Sequence, residues 1–180
     1  QLPFQELAYR TGATLKWFDL TEDGRNRSDT ADEVITENTK VVAITHVGNT
    51  TGAITDIAPI IRRAHEVGAI FILDACQSVP HLKVDFHALD VDFAAWSAHK
   101  MYGPTGVGFL YGRRELLEAL PPANFGGSMV ELAWMDQPAQ YMVPPARFEA
   151  GTQPVAQVVA AGVAAEWMMN VGLENIEAHE

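Results

Sequence analysis

The sequence predicts an α/β fold: a mostly parallel sheet with helices on both faces. Two observations predict it. Short, continuous apolar runs of strand length recur at 40–47 (KVVAITHV), 69–73 and 91–96, with another at 107–112. Stretches with helical spacing stand between several of them. Unbroken apolar strands are the pattern of strands buried on both faces, as in helix-covered parallel sheets.

The elements follow in order. Residues 3–10 read as the last turns of a helix, with Gly12 as its stop signal. Residues 13–20 alternate and suit a strand. The polar stretch 21–27 contains Gly24 and is a loop. Residues 29–36 are a short helix, and 40–47 the first buried strand. Asp56 caps a helix whose apolar positions, Ile57, Ile60, Ile61, Ala64 and Val67, share one face, and Gly68 ends it. The second buried strand, 69–73, ends at Asp74. The third, 91–96, ends at Ser97. The fourth is 107–112. Residues 113–120 form a helix stopped by Pro121-Pro122. Residues 121–150 are rich in Pro and Gly and look irregular. A long Ala- and Val-rich helix covers 153–169, and another begins near Leu173. No internal repeat or low-complexity segment is visible.

Composition narrows the function. The 180 residues hold 12 Lys+Arg against 23 Asp+Glu, a formal charge of −11, with 48% hydrophobic and 19% charged residues. Such a chain folds rather than staying disordered. Its acidic balance and lack of a basic cluster argue against nucleic acid as a partner. No apolar run approaches the ~18 residues of a membrane span, so no membrane partner is expected. One cysteine, Cys76, excludes a disulfide framework or a Cys-based zinc site within this chain. The triplets Asn26-Arg27-Ser28 and Asn49-Thr50-Thr51 match the glycosylation sequon, a pattern frequent by chance. The chain starts at Gln1 and stops inside a helical pattern at Glu180, so a piece of a longer polypeptide, incomplete at both ends, is expected.

In open parallel sheets ligands bind at the carboxyl ends of the strands. Those places hold Gly48-Asn49, Asp74-Ala75-Cys76-Gln77 and Ser97-Ala98-His99-Lys100. An acid closing a strand can hold Mg²⁺, a ribose or a helix end. No G-x-x-x-x-G-K-[ST] supports a phosphate-binding loop, and no G-x-G-x-x-G follows a strand. Lys100 sits directly after a buried strand and before a Gly-Pro turn, near Asp74. A lysine can form a Schiff base, and an acid can hold a protonated ring nitrogen. These are the two fixed requirements of pyridoxal phosphate chemistry.

Four ordered motifs sharpen this: Ile44-Thr45-His46-Val47-Gly48-Asn49; residues 73–81 (LDACQSVPH); residues 97–108 (SAHKMYGPTGVG); and Arg147-Phe148-Glu149-Ala150-Gly151-Thr152. Together they resemble the cysteine desulfurases of the class V aminotransferase-like family, in the iron–sulfur assembly subgroup, with selenocysteine lyases nearby. The resemblance implies a fold-type I large domain, of which residues 1–180 would be the central part, without the N-terminal segment and the C-terminal small domain. It implies pyridoxal 5′-phosphate as cofactor and L-cysteine as substrate, giving alanine and an enzyme persulfide. A sulfur-acceptor or scaffold protein, a homodimer and a cytoplasmic location follow from the same resemblance.

The resemblance also implies roles. Lys100 would carry the cofactor and move protons at the substrate. Asp74 would pair with the pyridinium nitrogen. Gln77 would hydrogen-bond the ring oxygen, and Ser97 and His99 would hold the phosphate. Asn49 would lie by the ring and the substrate carboxylate, unless it only makes an Asx turn. Thr152 would reach the phosphate of the neighbouring subunit, or cap the helix that follows, or both. Cys76 is expected to face the core rather than act as nucleophile. The nucleophilic cysteine and the substrate-clamping arginine would lie after Glu180, and the ring-stacking histidine before Gln1. The isolated piece is therefore expected to show little or no desulfurase activity. His46, His65, His81 and His87 show no metal spacing and read as surface or core residues, so no metal is expected. The family's glycine run before Ser128-Met129 is broken by Phe125. Other enzymes of the same fold, kynureninase and aminotransferases included, are the alternative, as is a non-catalytic interaction domain.

Overall fold

The computed structural model describes residues 2–180 and divides into two compact units, Gln1–Phe71 and Ile72–Glu180. In the first unit, α1 (Leu2–Thr11) stops as expected: Gly12 takes φ +73° and donates its N–H to the Ala8 carbonyl at 2.8 Å. Only glycine adopts that backbone without steric cost. Residues 13–20 do not form the expected strand. Leu20 makes an isolated bridge to Asn26, while Trp17 and Leu20 stay 55% and 62% exposed. Alternation marks a face for burial, but a strand also needs a hydrogen-bonded neighbour, and none among the described residues takes this segment up.

The helix expected at 29–36 contracts to a 3₁₀ turn, Ser28–Thr30, and one turn of α2 (Ala31–Val34). Helix α3 (Ala58–Glu66) buries Ile60, Ile61 and Ala64. Asp56 Oδ1 accepts the Ala58 N–H at 3.2 Å, and Arg63 donates to the Ile35 carbonyl at 3.2 Å, tying α3 to the end of α2. Strand β1 (Val41–Thr45) buries Val42 and Ile44 but leaves Val41 43% exposed. Its run is apolar on both faces, and this chain covers one of them. Its hydrogen-bonded neighbour is β2 (Ile70–Asp74), whose first two residues belong to this unit.

In the second unit, β2 runs parallel to β3 (Phe93–Ser97), with Leu73 opposite Ala94 and Asp74 opposite Ala95. Strand β4 (Gly108–Gly112) then runs antiparallel to β3, from Phe93 opposite Gly112 to Ser97 opposite Gly108. Residues 98–107 are too short a connection for a parallel crossover, which takes about a dozen residues or more. Helix α4 (Ser78–His81) was not legible in the sequence. Helix α5 (Arg114–Ala119) was. The irregular stretch contains a small antiparallel pair, β5 (Val130–Leu132) and β6 (Gln140–Tyr141). Helices α6 (Val155–Val171) and α7 (Leu173–His179) meet at Gly172, φ +89°, with a 76° bend. Among the described residues no single helix is long and apolar enough to cross a membrane.

One core cluster bears on the site. Met101, Met168 of α6 and Ile176 of α7 are buried together, with Val79, Trp96 and Phe109 packed around them. Met101 directly follows Lys100, so its apolar contacts hold the backbone of the residue before it.

Candidate active site

The site is built where the parallel pair β2–β3 ends. Asp74 closes β2 and is exposed. Its Oδ1 accepts the Cys76 N–H at 3.1 Å, an Asx-type turn that folds the chain back over the strand end. Residue Ala75 is fully buried and donates its N–H to the Ala95 carbonyl at 3.0 Å. The turn thereby stays bonded to the neighbouring strand.

Ser97 closes β3, half-buried. A 3₁₀ turn, Ala98–Lys100, follows. Ala98 is fully buried, and its carbonyl accepts two N–H groups, from Met101 at 2.9 Å and Gly103 at 3.0 Å. Tyr102 takes φ +60°, and its ring meets Trp167 of α6 edge-on with centroids 5.0 Å apart. Non-glycine residues adopt such a φ only when their surroundings enforce it. Lys100 is thus a half-buried amine on a turn clamped from both sides. His99, on the same turn, is exposed.

Between these groups lies Cys76. Its Sγ is 3.9 Å from the Ala95 carbonyl and 4.0 Å from Ser97 Oγ. It is half-buried, which corrects the expectation that it faces the core. Burial, and then the Asp74 carboxylate, push its thiol above the ordinary cysteine value, while Ser97 and the Lys100 charge act the other way. One thiol therefore feels Asp74, Ser97 and Lys100 together. Gln77 stands just before α4, its Oε1 3.2 Å from His81 Nε2, and His81 Nδ1 also meets Glu180 at 2.7 Å.

Two further expected site residues lie on other segments of the chain. Thr152 is exposed and lines a cavity of about 240 Å³ with Ser128, Glu149 and Gln153. Helix α6 begins with no side-chain cap, so Thr152 does not make the N-cap hydrogen bond. Asn49 belongs to the first unit, exposed on the turn after β1. That turn is closed by Gly48 N–H to Ala53 at 2.9 Å and Gly52 N–H to Gly48 at 2.8 Å. A Cβ at 48 would stand 2.6 Å from Thr51 Oγ1, so a side chain there would displace that hydroxyl. Beside it His46 is buried, its Nδ1 without a hydrogen-bond partner, and burial pushes its imidazole below the ordinary value. A larger hollow, about 440 Å³, opens at the other end of β3 around Phe86, Tyr111 and Arg113. It contains none of the expected site residues, and its Arg113 is bound to Asp90 and Asp92.

Sequence reading missed the half-buried position of Cys76 beside Ser97 and the anchoring role of Met101. The signal for Met101 was present: a large apolar residue inside an otherwise polar turn.

An acid ends one parallel strand and a lysine stands on a clamped turn after the next, in an α/β fold. The family model for aminotransferase class-V matches residues 1–180, and the chain belongs to that family. It is 50% identical over 99% of its length to the probable cysteine desulfurase 2 of Mycobacterium leprae, covering 42% of that protein. It is likewise 50% identical to the probable cysteine desulfurase of Streptomyces coelicolor, covering 43%. Among solved structures, the Escherichia coli cysteine desulfurase CsdA superposes with TM-score 0.93 at 36% identity, over 97% of this chain and 43% of that one. The apo cysteine desulfurase of Thermococcus onnurineus gives 0.93 at 34%, over 98% and 44%. The chain therefore spans less than half the length of these relatives.

Proposed function

We propose that the full-length protein is a pyridoxal 5′-phosphate-dependent cysteine desulfurase. It takes sulfur from L-cysteine, releases L-alanine, and hands sulfur from an enzyme persulfide to an acceptor or scaffold protein for iron–sulfur cluster assembly. The observation that carries this reading is the placement of Asp74 at the end of β2, Ser97 at the end of the parallel β3 and Lys100 on the clamped turn that follows it. The names of the relatives supply the substrate.

The donor set fits the cofactor: a carboxylate for the ring nitrogen, an amine for the carbonyl carbon, a hydroxyl and an imidazole for the phosphate. Pyridoxal phosphate supplies a sink for the electrons released at the substrate Cα. Asp74 holds the proton on the ring nitrogen. Lys100 Nζ anchors the cofactor and moves the proton at Cα, and its clamped turn fixes the direction of that transfer. Ser97 and His99 bind the phosphate. Gln77, whose Oε1 meets His81 Nε2 at 3.2 Å, would donate an amide N–H to the ring oxygen. Asn49 serves the substrate carboxylate. Thr152 reaches the phosphate of a second subunit in a cytoplasmic homodimer. The apolar side chains that α6 leaves exposed, Val155, Val159, Val163 and Met169 among them, support an assembly in which more of this helix is covered.

Borohydride reduction of the full-length protein followed by peptide mass spectrometry tests the site. A pyridoxyl adduct on Lys100 is expected. Folded protein supplied with cofactor that gives no such adduct overturns the reading. Alanine formed from cysteine then separates desulfuration from the other chemistries of the fold.

A further inference from the structure

We infer that His81 of α4, held in turn by Glu180 just past α7, is a positioning residue for Gln77: it fixes which end of the Gln77 amide serves the cofactor. The inference rests on the cofactor reading above and adds a supporting residue to it. A primary amide offers an acceptor at one end and a donor at the other, and rotation about its last side-chain bond exchanges them. A ring oxygen that carries negative charge needs the donor end. Gln77 stands just before α4, and its Oε1 lies 3.2 Å from the Nε2 of His81, one helical turn on. The Glu180 carboxylate meets the other ring nitrogen, Nδ1, at 2.7 Å. A carboxylate only accepts, so Nδ1 donates to it. An amide oxygen also only accepts, so Nε2 donates to Gln77. A ring that donates at both nitrogens is the protonated imidazole, with Glu180 as its counter-charge. Each link fixes the next: the carboxylate holds the ring, and the ring holds the amide oxygen. With its oxygen engaged by His81, the amide has its NH₂ to give to the ring oxygen of the cofactor.

The two segments that carry this chain share one support. Val79 of α4 and Leu173 of α7 both pack against the cluster of Met101, Met168 and Ile176, which also seats the Lys100 turn. Lys83, just past α4, meets Glu174 of α7 at 2.8 Å, a second tie between them. His81 and Glu180 are partly exposed, so their pairing adds little to stability. What the pairing supplies is direction.

The test uses the full-length protein, stripped of cofactor and titrated with pyridoxal 5′-phosphate while the visible band is followed. His81→Phe keeps a ring and removes both donors. Gln77→Ala removes the amide, and the two substitutions together close a double-mutant cycle. His81→Phe is expected to weaken cofactor binding about three- to tenfold, the worth of one hydrogen bond. It is also expected to move the visible maximum, with the melting temperature of the stripped protein little changed. In the Gln77→Ala background the same substitution is expected to change neither binding nor band, because the amide it acts on is gone. Parent-like binding and band in His81→Phe overturn the inference, and so does an equal loss with and without the Gln77 side chain. A Lys100 adduct after borohydride reduction of the same sample leaves the cofactor reading standing. No visible band and no Lys100 adduct in the parent protein overturns both. Where His81→Phe does not fold, Glu180→Gln decides, since it removes the counter-charge from α7's side and leaves α4 intact. It is expected to weaken cofactor binding about twofold or more, and parent-like binding in it overturns the inference.

Discussion

Gly103 donates its N–H to the Ala98 carbonyl oxygen at 3.0 Å, and a Cβ on Gly103 would stand 2.9 Å from that same oxygen. The backbone therefore closes over the turn that carries Lys100 only because residue 103 has no side chain. Gly103→Ala must push this turn open, at a cost of ~1–3 kcal/mol. Displacing the amine also costs turnover, about 10²-fold for a shift near 1 Å. Melting curves and kcat with cysteine, measured on the full-length protein, check both. Unchanged turnover in the variant would mean that the clamp does not aim the lysine.

In the proposed reaction Asp74 has two duties, and one substitution separates them. Asp74→Asn keeps an oxygen to accept the Cys76 N–H but carries no charge for a ring nitrogen. Turnover should fall about 10²–10³-fold, the scale of one lost electrostatic contact to the reacting group, with little change in melting temperature. An active Asn variant would remove Asp74 from the chemistry.

Met168 of α6 packs with Met101 beneath the Lys100 turn. Met168→Ala should destabilise the protein by ~2–5 kcal/mol, as a buried large-to-small change does. Denaturant melts measure it. A cost below ~1 kcal/mol would show that α6 does not support the turn.

His46 makes stability depend on pH. Burial disfavours its charged form, so its folded-state pKa lies below the ordinary 6.5. Above 6.5 the imidazole is neutral in both folded and unfolded chains and stability is unaffected. Below 6.5 the unfolded chain takes up the proton first, so stability falls until the folded-state value is passed. An NMR titration of the His46 ring should show a midpoint below 6.5, and His46→Gln should lose this part of the acid sensitivity. A midpoint at or above 6.5 contradicts the burial argument.

The sequence by itself determined the class of fold and the residues of the strand ends. Apolar runs at 69–73 and 91–96 became β2 and β3, and Asp74 and Ser97 stand at their carboxyl ends because polar residues interrupt buried strands there. Local chemistry was enough for this: burial sets the strand, and the first polar residue sets its end. Gly12 and Gly68 marked helix ends for the same local reason, each with a positive φ. What only the tertiary structure decided were the pairings. Residues 13–20 alternate like a strand and have no partner strand among the described residues, since periodicity says which face is apolar but not what lies beside it. Strand β4 runs antiparallel because the connection is short, which the apolar run does not encode. The thiol of Cys76 lies by Ser97, 21 residues on, because the Asp74 turn and the β2–β3 register place it there. Register is a property of two strands together, and one stretch of sequence does not contain it.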